Sequence, residues 1–205
     1  MNNFEASYLG LVEYSKAVSL QEDLVQVVKN KGLTAVVGLE HPAVLTLGHR
    51  LELNAGSLPV DIPQVKSSRG GLMTIHSEGQ LVIYPIVDLR DRGWGVKSYV
   101  CKLLRTTQKL LSELGVESHV DQHAIGLYTA AGKIAFCGIQ VKNGVSLHGI
   151  SLNVRNDLSL FQNIQACGIQ NAELDRLQNY DVNLTLEELF QRWIKHFQDE
   201  VQDCQ

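Results

Sequence analysis

Two residues far apart in the chain have side chains suited to covalent chemistry. Cys167 stands between Ala166 and Gly168, in a bend of small residues running from Gln165 to Ile169. A glycine beside a thiol leaves room for a substrate, and the backbone N–H groups of such a bend can hold an oxyanion. A free cysteine more often acts as a small buried hydrophobe, and local sequence alone favours that reading. Lys133 opens the segment Lys133–Val141, directly after Gly132. Strand alternation places it on one face with Ala135, Cys137, Ile139 and Val141. An ammonium there can lower the pKa of a neighbouring thiol, and a desolvated lysine can act as a base. The commoner case is a strand-end lysine that reaches water.

A third group lies in Ser68–Leu89. Arg69-Gly70-Gly71 leads through Thr74 and His76 to Gly79-Gln80, then to the apolar run Leu81–Ile86. Paired glycines allow positive φ and close approach of backbone to a ligand, and the arginine adds a rigid fork of donors. The plainer reading is a hairpin with a surface arginine. His76 and His148 each sit beside small residues, which suits hydrogen bonding, a binding site or the core. The seven histidines and four cysteines show no HExxH or CxxC spacing, and His119 and His123 lie in a segment without helical periodicity, so no metal site is expected. No P-loop or GxGxxG fingerprint supports a nucleotide site. Asp88, Asp91 and Asp121 read as caps or surface residues.

The elements that must position these residues follow from period and punctuation. Tyr8–Val12 reads as a strand. Ser15–Lys31 reads as a helix, capped by Ser15 and stopped by Gly32. Thr34–Leu39 and Val44–Leu47 read as strands broken at His41-Pro42. Leu51–Lys66, with Asn54, Gly56, Pro59 and Pro63, reads as a long surface loop. Ser98–Leu114 is the clearest helix, closed by Gly115. Ile125–Thr129, Lys133–Val141 and Val145–Val154 read as three strands. Ala130-Ala131-Gly132 turns between the first two, and Lys142-Asn143-Gly144 between the last two. Gly149, inside the third, marks close approach of a ligand or another backbone. Asp157–Asn163 reads as a helical turn or loop. Thr185–Val201 reads as an amphipathic helix with Thr185 and Glu188 at capping-box spacing.

These elements predict one α/β (α+β) domain over residues 1–205, a mixed β-sheet flanked by helices. At 44% hydrophobic and 20% charged residues, the 205-residue chain can build a sizeable core. A net charge of −4 gives no electrostatic footprint for nucleic acid. No run approaches the ~18 apolar residues that cross a bilayer. Met1–Glu5 has neither a basic signal region nor an Arg-rich transit character, so a cytoplasmic location is expected. Cysteines without dense spacing are expected to be reduced thiols.

The ordered motifs resemble the lipoyl(octanoyl) transferases, also called octanoyl-acyl-carrier-protein:protein N-octanoyltransferases. The resemblance runs from Tyr8 to Ile169. It begins with Leu9-Gly10-Leu11, Tyr14 and Gln21, followed by Leu39-Glu40-His41-Pro42-Ala43-Val44 with Thr46-Leu47-Gly48. Arg69-Gly70-Gly71, Thr74 and His76 then lead into Gly79-Gln80-Leu81-Val82 and Tyr84-Pro85-Ile86. Gly132-Lys133-Ile134-Ala135 with Gly138, His148-Gly149 with Leu152-Asn153-Val154, and Cys167-Gly168-Ile169 complete it. The resemblance implies the fold of the lipoate and biotin protein ligase catalytic domain and a Cys167/Lys133 catalytic dyad. It implies an acyl pocket lined by Arg69, Gly70, Gly71, Leu72, Met73, Thr74, Ile75 and His76, completed by Phe136, Cys137, Gly138, Gly149, Ile150 and Ser151. It implies octanoyl-acyl carrier protein as donor and, as acceptors, apo lipoyl domains of 2-oxoacid dehydrogenase complexes and the glycine cleavage H protein. No cofactor, nucleic acid or membrane enters this expectation. Other readings are an ATP-dependent lipoate ligase, a transferase between lipoyl domains, and a non-catalytic acyl or carrier-protein binding module.

The chain also departs from the family's pattern. Ile75-His76-Ser77-Glu78 replaces Tyr-His-Gly-Pro, and Ala166 replaces the proline before the cysteine. Gly126-Leu127-Tyr128-Thr129 stands for Gly-Val-Trp-Val, and Asp175-Arg176-Leu177 for Thr-Ser-Leu.

Overall fold

A computed structural model describes residues 4–49, 61–121, 125–161 and 173–202, and among these described residues there are three α-helices and ten strands. In order they are β1 (Phe4–Leu11), α1 (Tyr14–Lys31), β2 (Thr34–Glu40), β3 (Val44–Leu47), β4 (Gln64–Lys66), β5 (Met73–His76) and β6 (Gln80–Ile86). Then come α2 (Val96–Glu113), β7 (His119–Val120), β8 (Gly126–Thr129), β9 (Gly132–Lys142), β10 (Val145–Asn153) and α3 (Leu186–Gln202). One-turn 3-10 helices cover Leu158–Phe161 and Leu177–Tyr180.

The expected stops act as such. Gly32 ends α1 at φ 61°, a left-handed position that costs glycine nothing. Asn143 and Gly144, at φ 54° and 91°, turn β9 into β10. At α3, Thr185 Oγ1 accepts from the Glu188 N–H at 3.2 Å while the Glu188 carboxylate accepts from the Thr185 N–H at 2.8 Å, a reciprocal cap. Ser15 does not cap α1: it lies inside the helix, and Glu13 holds the cap position without a side-chain bond. Part of the expected loop Leu51–Lys66 is strand, because Gln64–Lys66 pairs with β3. Residues 51–60 lie outside the described residues.

Seven strands form a mixed sheet in the order β1-β2-β6-β10-β9-β8-β7, parallel only between β1 and β2. A second sheet has the order β4-β3-β5. α2 and α3 cover one face of the large sheet, where Leu103, Leu110, Phe190, Trp193 and Phe197 pack on Leu81, Ile83, Leu127, Ile134 and Ile150. α1 covers part of the other face with Ala17, Val25 and Val28, on Val37, Leu39, Val82 and Leu147. The small sheet covers the rest through a cluster of Leu45, Met73, Ile75, Phe136 and Phe161. Burial of these three apolar layers is the main favourable contribution to the fold. Among the described residues, no helix is long and apolar enough to cross a membrane, and no group of three His, Cys, Asp or Glu side chains could hold a metal.

Candidate functional site

A cleft lies between the large sheet and the Arg69–His76 segment, with an empty volume of about 500 Å³ that includes its open mouth. Of the residues expected at an acyl pocket, Arg69, Gly70, Gly71, Leu72, Thr74, His76, Phe136, Cys137, Gly138, Gly149, Ile150 and Ser151 line it. Met73 and Ile75 do not. Strand alternation in β5 sends Thr74 and His76 toward the cleft and turns Met73 and Ile75 into the small core. His148, whose setting beside small residues suits a binding site, also lines it, as do Tyr14, Val82 and Tyr84, which sequence reasoning does not single out as site residues. Val82 and Tyr84 share one face of β6, so period two gave a signal. Tyr14 is brought in only by the way α1 crosses the sheet.

Arg69 is not a surface residue. Its Nη2 donates to Thr46 O at 2.7 Å and to Thr46 Oγ1 at 2.8 Å, its Nε to the same hydroxyl at 3.1 Å, and its Nη1 to Gly70 O at 3.0 Å. The rigid fork expected to meet a ligand thus clamps its own loop onto β3. The Gly70 N–H donates to Ile139 O at 2.9 Å, fastening the loop to β9. Gly138 allows this approach, since a Cβ there would stand 3.0 Å from Gly70 O. Gly149 answers to backbone as well: a Cβ on it would lie 2.2 Å from Ile83 O in β6.

Behind the cleft three histidines are buried with Tyr14 and Tyr84. The Nδ1–H of His41 donates to Val12 O at 2.6 Å, and its Nε2 accepts from Tyr84 OH at 2.8 Å. His148 takes φ 58° inside β10, and its backbone N–H donates to Gln21 Oε1 at 2.6 Å. Burial lowers the pKa of His41 to about 4 and that of His148 to about 4, the latter with help from Arg69. Burial and the neighbouring His41 take His76 to about 3. All three are neutral at pH 7.

A buried chain of polar groups leads away from His76. The Asp175 carbonyl can only accept, so Asn153 Nδ2 donates to it, at 3.0 Å. Asn153 Oδ1 then accepts from Gln80 Nε2 at 2.9 Å. Gln80 Oε1 accepts from the His76 Nδ1–H at 2.7 Å. One carbonyl therefore sets the tautomer of a histidine three bonds away. Asp175 itself is fully buried. Burial alone would raise its pKa. Hydrogen bonds from Thr129 Oγ1, Tyr180 OH (2.5 Å), Asn179 Nδ2 (2.8 Å) and the Arg176 N–H (2.8 Å) outweigh it and hold the carboxyl below its ordinary value.

Lys133 sits at the other end of this network. Its N–H donates to Glu173 O at 2.8 Å, and its carbonyl accepts from the Asp175 N–H at 3.0 Å. Its side chain is 2% exposed, not a strand-end lysine in water. It also lies on a different face from the one alternation gave. The β8–β9 register shifts between Leu127 and Tyr128, so Ile134 is an extra residue, a bulge that reverses alternation. Ile134 and Ala135 join the helix-covered core, whereas Lys133 turns to the side of Phe136. Its Nζ lies 4.9 Å from the Phe136 ring centre and 5.2 Å from that of Tyr128, and donates to Ile125 O at 3.1 Å. Two aromatic faces and a carbonyl suit a cation removed from water.

Cys167 lies outside the described residues. The chain on either side of it is fastened to β9: Phe161 stacks on Phe136 with ring centres 5.7 Å apart, and Leu174 forms a parallel bridge with Lys133. Cys137, on β9 itself, lines the cleft, and burial pushes its thiol up to about 12 against the opposing pull of Lys133.

A mixed sheet with a cleft beside a second small sheet is an architecture that this chain shares with solved protein ligases. The fold matches that of a bipartite lipoate protein ligase from Thermoplasma acidophilum with a TM-score of 0.73 at 13% identity, covering 98% of this chain and 83% of that one. It matches a biotin protein ligase from Aquifex aeolicus with a TM-score of 0.61 at 12% identity, covering 97% and 71%. The family model for the lipoyl protein ligase A/B catalytic domain matches residues 13–198. An octanoyltransferase of Laribacter hongkongensis is 36% identical over 93% of this chain and 92% of that protein. One of Legionella pneumophila (strain Lens) is 33% identical over 92% and 95%. The chain belongs to the lipoyl protein ligase A/B catalytic-domain family, among its octanoyltransferases.

Proposed function

We propose that this protein transfers an octanoyl group from octanoyl-acyl carrier protein to a lysine of an apo lipoyl domain, through a thioester on Cys167. The observation that carries the reading is Lys133, buried beside Phe136 on the strand to which both flanks of the Cys167 segment are fastened. Lys133 as an ammonium stabilises the Cys167 thiolate. The thiolate attacks the thioester carbonyl carbon, a new C–S bond forms and the carrier's C–S bond breaks. The ammonium gives its proton to the departing carrier thiolate and becomes a neutral amine. The acceptor lysine, whose free pKa is about 10.4, must attack as an amine. Lys133, directly or through a water, takes the proton it releases as the C–N bond forms and Cys167 leaves as thiolate. The cleft between β5, β6, β9 and β10 receives the acyl chain.

Intact-mass detection tests this scheme. Incubation with octanoyl-acyl carrier protein, without ATP, adds one octanoyl group to the wild type and none to Cys167→Ala. The labelled enzyme then acylates an apo lipoyl domain. Full transfer by Cys167→Ala would overturn the covalent route, and a strict requirement for ATP would point to ligase chemistry.

A further inference from the structure

A cleft for a saturated acyl chain needs only apolar walls, yet among the described residues three that line this one carry buried polar atoms without a partner. Thr74 Oγ1, Ser151 Oγ and His148 Nδ1 are buried and have no hydrogen-bond partner among the described residues. Their residues all line the cleft, one from the wall strand β5 and two from β10. Elsewhere around the cleft polar groups are paired: Tyr14 OH with Ser67 Oγ at 2.7 Å, Tyr84 OH with His41, and His76 Nδ1 with Gln80. Buried polar groups left alone are costly. A saturated chain in the cleft offers none of the three a partner. A chain bearing a hydroxyl group offers a donor and an acceptor to side chains that can use either.

We infer that the cleft accepts medium-chain acyl thioesters carrying a hydroxyl on the chain, with Thr74 and Ser151 as the residues that recognise it. The inference rests on the cleft being the acyl site. It leaves the transfer chemistry unchanged, since the substituent lies away from the carbon that Cys167 attacks. Loss of one such contact changes the relative rates of hydroxylated and plain chains by about tenfold.

The test compares octanoyl-acyl carrier protein with its 3-, 5- and 7-hydroxyoctanoyl counterparts, as the ratio of kcat/KM for hydroxylated over plain chain. For at least one isomer, Thr74→Val or Ser151→Ala lowers this ratio about tenfold, and Thr74→Ser, which keeps the hydroxyl, retains the wild-type ratio. Thermal melting verifies that each variant is folded. If the variants depress both substrates by one factor, or change neither, for every isomer, the hydroxyls serve the thioester end or no ligand and the inference falls. Val82→Phe, which fills the cleft wall, distinguishes the two levels. Its loss of octanoyl transfer with an unmoved ratio in the other variants overturns the hydroxyl inference alone. Octanoyl transfer indifferent to Val82→Phe removes the acyl chain from the cleft and overturns both.

Discussion

The space that a side chain at Gly126 would need is occupied by Lys133: a Cβ on Gly126 would stand 2.5 Å from Lys133 Cε and 3.1 Å from its Nζ. The glycine opening β8 thus makes room for the ammonium. Gly126→Ala must move the lysine or the strand, since Ala135 O would be only 2.4 Å from the new methyl. We expect acylation of Cys167 in a single turnover to slow at least tenfold and the melting temperature to fall. Wild-type acylation by a variant that melts as the wild type does would show that Lys133 does not depend on this gap.

The buried carboxylate of Asp175 takes donors from three side chains and one backbone N–H. In Asp175→Asn one amide N–H₂ must face those donors. That variant is expected to lose roughly 1–3 kcal/mol of stability at pH 7, measured by urea unfolding. The folded-state pKa is lowered, so this contribution is present above the ordinary carboxylate pKa. It is lost as pH falls through the lower folded value. Equal urea midpoints at pH 7 would mean that the carboxylate is not needed.

His41, His76 and His148 give the stability a second pH dependence. Their folded pKa values, about 4, 3 and 4, lie below the ordinary 6.5. Between those limits the unfolded chain binds more protons, so stability is complete above about pH 6.5 and falls with pH toward 4. Each histidine contributes a slope of up to about 1.4 kcal/mol per pH unit. Urea midpoints at pH 7.5 and 5.5 should differ, and His41→Gln should reduce the difference. A flat profile would mean that the three titrate normally in the folded protein.

Much of this fold is legible in the sequence because its punctuation is local. Gly32, Asn143-Gly144 and the Thr185–Glu188 pair each settle a boundary through their own backbone geometry. The site is less legible because its rules are not local. The face of Lys133 depends on a bulge at Ile134, which alternation counted along β9 cannot register. The strand at Gln64–Lys66 exists through pairing with β3, not through its own pattern. Arg69 was readable as important, but its partner, Thr46, lies on another strand. Tyr14 and Tyr84 meet at the cleft only because α1 crosses β6, a fact of topology.

The polar chain from Asp175 to His76 has a direction, and direction constrains substitution in a way that shape does not. Each amide must give at one end and receive at the other. Gln80→Glu and Asn153→Asp keep the outline of the side chain atom for atom. Yet each sets acceptor against acceptor, Gln80→Glu at Asn153 Oδ1 and Asn153→Asp at the Asp175 carbonyl. Either is expected to lower stability at pH 7 by about 1–3 kcal/mol, and an unchanged urea midpoint would show that the direction of the chain does not contribute to stability. Deamidation of either residue would make the same change without any mutation. The interior of this protein is thus sensitive to the exchange of one NH₂ for one oxygen, a chemical ageing that leaves size and packing untouched.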